Sequence, residues 1–114
     1  MPNIHGDALR GHLQNLVLAV LEHEPAHGLQ ILRRLEAAGC GALKLKEGTL
    51  YPALYRMEEA GLLAAAWEET PAAARGPRRR IYRLTPKGKR QLAQGRTEWR
   101  EFVQTIGGIL GVTS

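Results

Sequence analysis

The chain has 114 residues, 44% of them hydrophobic, which suits one domain with a single apolar core. Its one cysteine, Cys40, excludes an intramolecular disulfide, and no stretch approaches the roughly 18 uninterrupted apolar residues that span a bilayer. The first ten residues lack the pattern of a signal peptide, so we expect a cytoplasmic protein without membrane contact.

The net charge of +5 is unevenly distributed along the chain. Between Arg75 and Arg100 there are ten lysines or arginines and one acid, Glu98, which leaves six basic and ten acidic residues elsewhere. A basic segment beside a neutral remainder favours a localised surface for a polyanion. A merely solvated basic face is the alternative at this stage.

Three helices are predicted in the first half of the chain. Apolar residues at three- and four-residue spacing indicate helices over about residues 7–24 and 28–39, separated by a break at Pro25-Ala26-His27-Gly28. A third helix is predicted over about 47–60, with Leu50, Leu54 and Met57 on its inward face. We place Pro52 in the first turn of this helix, where a missing N–H is tolerated.

Two short strands and a last helix follow. Alternation predicts strands over about 62–69 and 80–84, joined by a connector rich in proline, glycine and arginine. Thr85 and Pro86 are typical of a helix start. The predicted fold is mainly α with a two-stranded β wing, namely a winged helix-turn-helix domain over 1–84 followed by a dimerisation helix over 85–114.

The outward face of the third helix and the connector carry groups that suit DNA. Hydroxyl and guanidinium groups can read base edges, and clustered arginines can follow phosphates or enter a minor groove. The predicted DNA-binding residues are Lys46, Thr49, Tyr51, Pro52, Tyr55 and Arg56 at the helix, and Arg75, Arg78, Arg79 and Arg80 in the wing. The alternatives are a solvated helix surface with half-buried tyrosines, and a basic loop with no role.

The last helix carries apolar residues at heptad-like spacing, which predicts a partner surface. The predicted interface residues on this helix are Leu92, Trp99, Phe102, Val103, Ile106 and Leu110.

No arrangement typical of an enzyme is present in the sequence. His23, Glu24 and His27 lie near one another but are interrupted by Pro25, which argues against a metal site. Cys40 has no partnered histidine. Because phosphate-binding glycine loops, catalytic triads and zinc spacings are missing, we expect no enzymatic activity, no metal and no cofactor.

Residues 48–62, GTLYPALYRMEEAGL, resemble the signature third helix of the PadR family of transcriptional regulators. Residues 25–28 and 80–88 support the resemblance, which extends over about 7–110. Leu29 stands where the family usually has tyrosine, and Met57 where leucine is frequent; both changes are apolar. The short C-terminal part resembles the smaller PadR subgroup.

The resemblance implies a homodimeric repressor bound to a palindromic operator, with half-site centres about 10 base pairs apart or a multiple of that distance. It implies that the first and last helices pair across the twofold axis, which adds Leu9 and Leu13 to the predicted interface. It also implies that a small aromatic effector can bind at Trp99, although a tryptophan buried in the dimer is the simpler interpretation. A protein-protein adaptor is the alternative function.

Overall fold

The computed structural model describes residues 11–69, 76 and 78–112. Leu9 and Arg75 therefore lie outside the described residues. The elements in chain order are α1 (Leu13–Val20), β1 (Ala26–His27), α2 (Gly28–Ala38), α3 (Glu47–Glu59), β2 (Leu63–Trp67), β3 (Arg80–Leu84) and α4 (Pro86–Leu110). This order confirms the predicted mainly helical fold with a β wing. Among the described residues, none of the helices is long and apolar enough to cross a membrane.

Helix α1 ends at Val20, short of the predicted end near Glu24. The side chain of Arg34 on α2 binds the backbone at this end, including the Val20 carbonyl that a longer helix would use. Its Nη1 donates to the carbonyl oxygens of Val20 at 2.9 Å and Glu24 at 2.7 Å, and its Nη2 donates to Pro25 at 3.2 Å. A helix end needs partners for its last carbonyls, and here a guanidinium from the next helix supplies them.

The expected break at residues 25–28 contains a short strand, so the sheet has three strands in the order β1-β3-β2. All pairings are antiparallel, with Ala26 opposite Tyr82 and Trp67 opposite Arg80. The wing itself is the predicted two-stranded ribbon of β2 and β3. Because β3 is central, the base of the wing is hydrogen-bonded to the segment that leads into α2.

The core lies between α1, α2, α3 and the sheet. Its largest fully buried side chains are Val17, Leu18, Ile31, Leu50, Leu54 and Leu63. Leu50, Leu54 and Met57 form the buried face of α3, as predicted. Leu92 is also part of this core and is only 3% exposed, which leaves it no surface for a partner. Its assignment to a dimer interface is therefore corrected: it anchors the start of α4 to the protomer.

Helix α4 begins as the sequence predicts. Thr85 is the N-cap, its hydroxyl accepts a hydrogen bond from Gly88 N at 3.0 Å, and Pro86 is the first helical residue. Arg96 holds α4 to the end of α1 through two hydrogen bonds to the Glu22 carboxylate, at 2.8 and 2.9 Å. This hydrogen-bonded pairing lowers the pKa of Glu22. The helix has 25 residues, about 37 Å at 1.5 Å per residue, and its second half extends beyond the core.

Gly88 marks the closest approach between α4 and the end of α3. A Cβ at this position would overlap the backbone carbonyl oxygen of Leu62, which is held in the turn before β2 by its hydrogen bond from Thr85 N at 3.2 Å. A rigid backbone atom cannot move aside as a flexible side chain does, so only glycine fits.

We expect Gly88→Ala to lower the free energy of unfolding by about 1 to 3 kcal/mol, because the added methyl group forces the first turn of α4 away from Leu62. Gly48→Ala is the matched control, since Gly48 also lies in the first turn of a helix but has open space around it. The control should keep or slightly raise stability, given the helix propensity of alanine. Urea unfolding followed by circular dichroism measures both, and equal stabilities would refute the steric account.

Candidate nucleic-acid interface

The face of α3 opposite the core is open to solvent. Thr49, Tyr51, Pro52, Tyr55 and Arg56 are all exposed, Tyr51 at 42% and Tyr55 at 63%. The side chains of this surface combine hydroxyl groups, a guanidinium and aromatic rings, which is the chemistry of base-edge and sugar-phosphate contacts. The alternative that the tyrosines are half-buried in the core does not apply to Tyr55.

The position of Pro52 within α3 differs from the prediction. The helix begins at Glu47, as predicted, but this makes Pro52 the sixth helical residue and places it beyond the first turn. Because proline has no N–H, the carbonyl of Gly48 has no donor four residues later. Gly48 is exposed, so that carbonyl meets solvent and can accept a hydrogen bond from outside the helix. Lys46 is exposed and is the N-cap residue, just before this turn.

Arg78 and Arg79 are exposed at the base of the wing. The Nε of Arg78 donates to the carbonyl oxygen of Glu68 on the opposing side of the ribbon at 3.3 Å. Nη1 of Arg79 lies 3.3 Å from Nε2 of His27. Both guanidinium groups keep further N–H groups for an external acceptor, as a phosphate contact requires.

Arg80, which was predicted to contact phosphate, makes two contacts within the protein. Its Nη2 donates to Oε2 of Glu58 on α3 at 2.7 Å, and its guanidinium lies 5.9 Å from the ring centre of Trp67. It is only partly exposed, and its charge is already paired. Arg80 therefore connects the wing to α3 and sets the position of one relative to the other, and its contact with DNA stays a prediction.

His27 has a structural role at the start of α2. The sequence pattern had suggested only a metal ligand at this position, and argued against it. Its Nδ1 accepts a hydrogen bond from Gln30 N, while the Gln30 side chain accepts one from His27 N, which completes a capping box. The signal was present in the sequence as a polar residue followed three positions later by glutamine. The described residues contain no group of three potential metal ligands.

The pKa of His27 is lowered, chiefly by burial and then by the charge of Arg79. The nearby positive charges of Arg33 and Arg34 act in the same direction, and Glu68 opposes them. The neutral ring is therefore favoured, which is the form that can accept a hydrogen bond from Gln30 N.

Tyr51 joins α3 to the start of α2. A Cβ on Gly28 would overlap the phenol ring of Tyr51, so the two helices approach closely at this position. The absence of a side chain on Gly28 is what permits the contact. The exposed face of α3, the start of α2 and the base of the wing thus form a continuous surface, through Tyr51 and Gly28 on one side and His27 and Arg79 on the other.

The second half of α4 presents a separate apolar surface. Trp99 is 52% and Phe102 55% exposed, and their rings stack with centroids 5.8 Å apart. Ile106, Ile109, Leu110 and Val112 continue this surface toward the end of the helix. Of the other predicted interface residues, Val103 is partly exposed and Leu13 is partly buried against the core.

Comparison with known proteins agrees with this geometry. The profile of the transcriptional regulator PadR-like family matches residues 17–94, which include α2, α3 and the wing. The chain belongs to the PadR-like family. This is a family of transcriptional regulators rather than a class of enzymes.

Individual transcriptional regulators match most of the chain. The transcriptional regulator Rv3488 of Mycobacterium tuberculosis is 32% identical over 94 residues, which are 80% of this chain and 81% of that protein. A transcriptional regulator from Clostridium thermocellum has a TM-score of 0.80 at 28% identity, over 92% of this chain and 96% of that one. A PadR family regulator from Eggerthella lenta has a TM-score of 0.78 at 31% identity, over 94% and 88%.

The lowered pKa of His27 predicts how the stability of this PadR-like fold depends on pH. The unfolded chain takes up the proton near the ordinary value of 6.5, and the folded chain does so only at lower pH. The contribution of His27 is therefore complete above about pH 6.5 and is lost as the pH falls from there through the folded-state pKa.

His27→Asn should flatten this part of the pH profile, because asparagine keeps an N-cap oxygen but does not titrate in this range. Urea unfolding at a series of pH values measures the effect. The matched control is His23→Asn, since the side chain of His23 is 90% exposed. If both variants retained the wild-type slope, another group would be responsible.

Proposed function

We propose that this regulator is a sequence-specific repressor that binds a palindromic operator as a homodimer. The observation that carries the proposal is the continuous surface of α3 and the wing base, where exposed hydroxyl and guanidinium groups lie beside the exposed Arg78 and Arg79. In a winged helix-turn-helix protein, such a helix enters the major groove while flanking cations hold the backbone.

The residues divide into two roles in this proposal. Arg56, Tyr55 and Thr49 read base edges, because they project from the solvent face of α3. Lys46, Arg78 and Arg79 bind phosphates on either side. The pairing of Arg80 with Glu58 supports a fixed distance between the two groups, so that helix and wing meet the duplex together.

The homodimer is supported by the apolar surface of α4. Four large apolar side chains on this helix are exposed, namely Trp99, Phe102, Ile106 and Leu110. Their contact with water is unfavourable, and a partner surface would remove it. When two copies pair through α4 about a twofold axis, their two α3 helices lie on the same side of the dimer. The operator then has matching half-sites about 10 base pairs apart or a multiple of that distance.

Release by a small aromatic effector completes the proposal. The stacked rings of Trp99 and Phe102, with the ring of His12 edge-on to Trp99 at 5.4 Å, offer a flat surface at the proposed dimer interface. A planar compound held there changes how the two copies of α4 pack, and with it the separation of the two DNA-binding surfaces.

The direct test is binding to fragments from upstream of the protein's own gene, compared with a scrambled fragment of equal length at two salt concentrations. We expect a preference on the order of a thousandfold for one fragment, persisting as salt rises. Weak and equal binding to both fragments, lost at the higher salt, would contradict the proposal and favour an adaptor that binds a protein partner.

Arg56→Ala should weaken binding to the preferred fragment by about 1 to 3 kcal/mol and relax the base preference at one position in each half-site. Arg100→Ala is the charge-matched control, because Arg100 is exposed on α4, with a described contact to Thr97 of its own helix. Fluorescence anisotropy with a set of single-base operator variants measures both. A uniform loss across all variants would mark Arg56 as a phosphate contact instead.

Trp99→Ala should weaken dimerisation by about 3 kcal/mol, through lost apolar burial at the partner surface. Tyr55→Ala removes another exposed aromatic residue, but from α3, and should leave the dimer intact while reducing DNA affinity. Analytical ultracentrifugation over a concentration series compares the two. An unchanged dimer in Trp99→Ala would show that α4 is not the interface.

A further inference from the structure

The contact between His27 and Arg79 contains a conflict of hydrogen-bonding roles. His27 is 8% exposed, and its Nδ1 accepts the N–H of Gln30 at 3.3 Å. A neutral imidazole has one accepting and one donating nitrogen, so with Nδ1 accepting, the proton is on Nε2. This Nε2 lies 3.3 Å from Nη1 of Arg79, which is also a donor. In this tautomer the two groups cannot hydrogen-bond to each other.

Two donors therefore converge on one place from different elements. One comes from the N-cap of α2 and the other from the base of the wing. A nine-tenths buried imidazole N–H without an acceptor is costly, and an anion placed between the two donors would satisfy both. A phosphate oxygen has the charge and the lone pairs for this arrangement.

The surroundings favour an anion. Arg33, Arg34 and Arg79 all act on His27 as positive charges, against the single carboxylate of Glu68 among the described groups that act on it. The same place is the N-terminus of an 11-residue helix, whose first amide groups and dipole favour negative charge. Both observations point to the same ligand chemistry.

We propose that His27 Nε2–H and the Arg79 guanidinium together bind one phosphate group of the DNA backbone. The inference rests on the proposed function and adds to it a contact from α2. Its location agrees with that role, because Gly28 next to His27 packs under Tyr51, on the face of α3 that we assign to the bases. The capping histidine thus positions α2 and binds the backbone with the same ring.

The first test needs no DNA. Long-range proton–nitrogen NMR of the imidazole rings, above the ordinary histidine pKa of 6.5, identifies the tautomer of His27. We expect the proton on Nε2 and a saturable shift of the His27 signals when inorganic phosphate replaces chloride at constant ionic strength. In His27→Asn, the phosphate-dependent shifts of the Arg79 side chain should disappear. A proton on Nδ1, or no saturable shift, would overturn the proposal.

The second test uses a duplex of the preferred operator, or of random sequence if no operator is found. Arg79→Gln should weaken binding about tenfold in the wild-type background and markedly less in His27→Asn, because the two groups share one phosphate. Arg78→Gln is the control and should have the same effect in both backgrounds. Additive losses for His27→Asn and Arg79→Gln would overturn the shared site.

The two tests also separate this inference from the proposed function. Phosphate binding with the expected tautomer, but no preference among DNA fragments, would support the anion site and contradict the sequence-specific repressor. A clear operator preference, together with additive losses for His27→Asn and Arg79→Gln, would support the sequence-specific repressor and contradict the shared anion site. Melting temperatures of all variants establish that each change leaves the fold intact.

Discussion

The central position of β3 is the constraint on which the rest of the structure depends. This strand pairs with β2 to form the wing and with β1 at the entry to α2, so one strand relates the wing to the helix-turn-helix. Arg80, the first residue of β3, donates a charge-assisted hydrogen bond to Glu58 on α3. The three parts of the proposed DNA-binding surface are thereby held in fixed positions relative to one another. A surface that must match a rigid duplex benefits from such preorganisation.

Local pattern predicted much of this fold. The bounds of α3 and β3 and the cap at Thr85 follow from periodicity and capping chemistry, which act within a few residues. Apart from the placement of Pro52 in the first turn of α3, the differences from prediction involve residues distant in the chain. Arg34, fourteen residues beyond Val20, binds the carbonyl at the early end of α1, and Arg80 is paired with Glu58 across 22 residues. Leu92 fits a heptad pattern but is buried against a core that periodicity alone cannot locate.

The candidate site was predictable to a similar degree. The exposed face of α3 follows from its buried face, since the two are opposite on a helical wheel. The capping role of His27 was missed although its signal is local, namely Gln30 three residues later, whereas its contact with Arg79 depends on the assembly of the sheet. The PadR-like family assignment gives the class of function, and the contacts in the structure show which charged side chains hold the protein together. In this account the apolar second half of α4 then doubles the surface by pairing two protomers.

Hydroxyl-radical footprinting of the fragment that the protein prefers tests the account most directly, because it reports the geometry of the whole complex on DNA. The account predicts two equivalent protected regions related by a twofold axis, with centres about 10 base pairs apart or a multiple of that distance, and backbone protection flanking each one. A single protected region without symmetry, or uniform weak protection along the fragment, would contradict it.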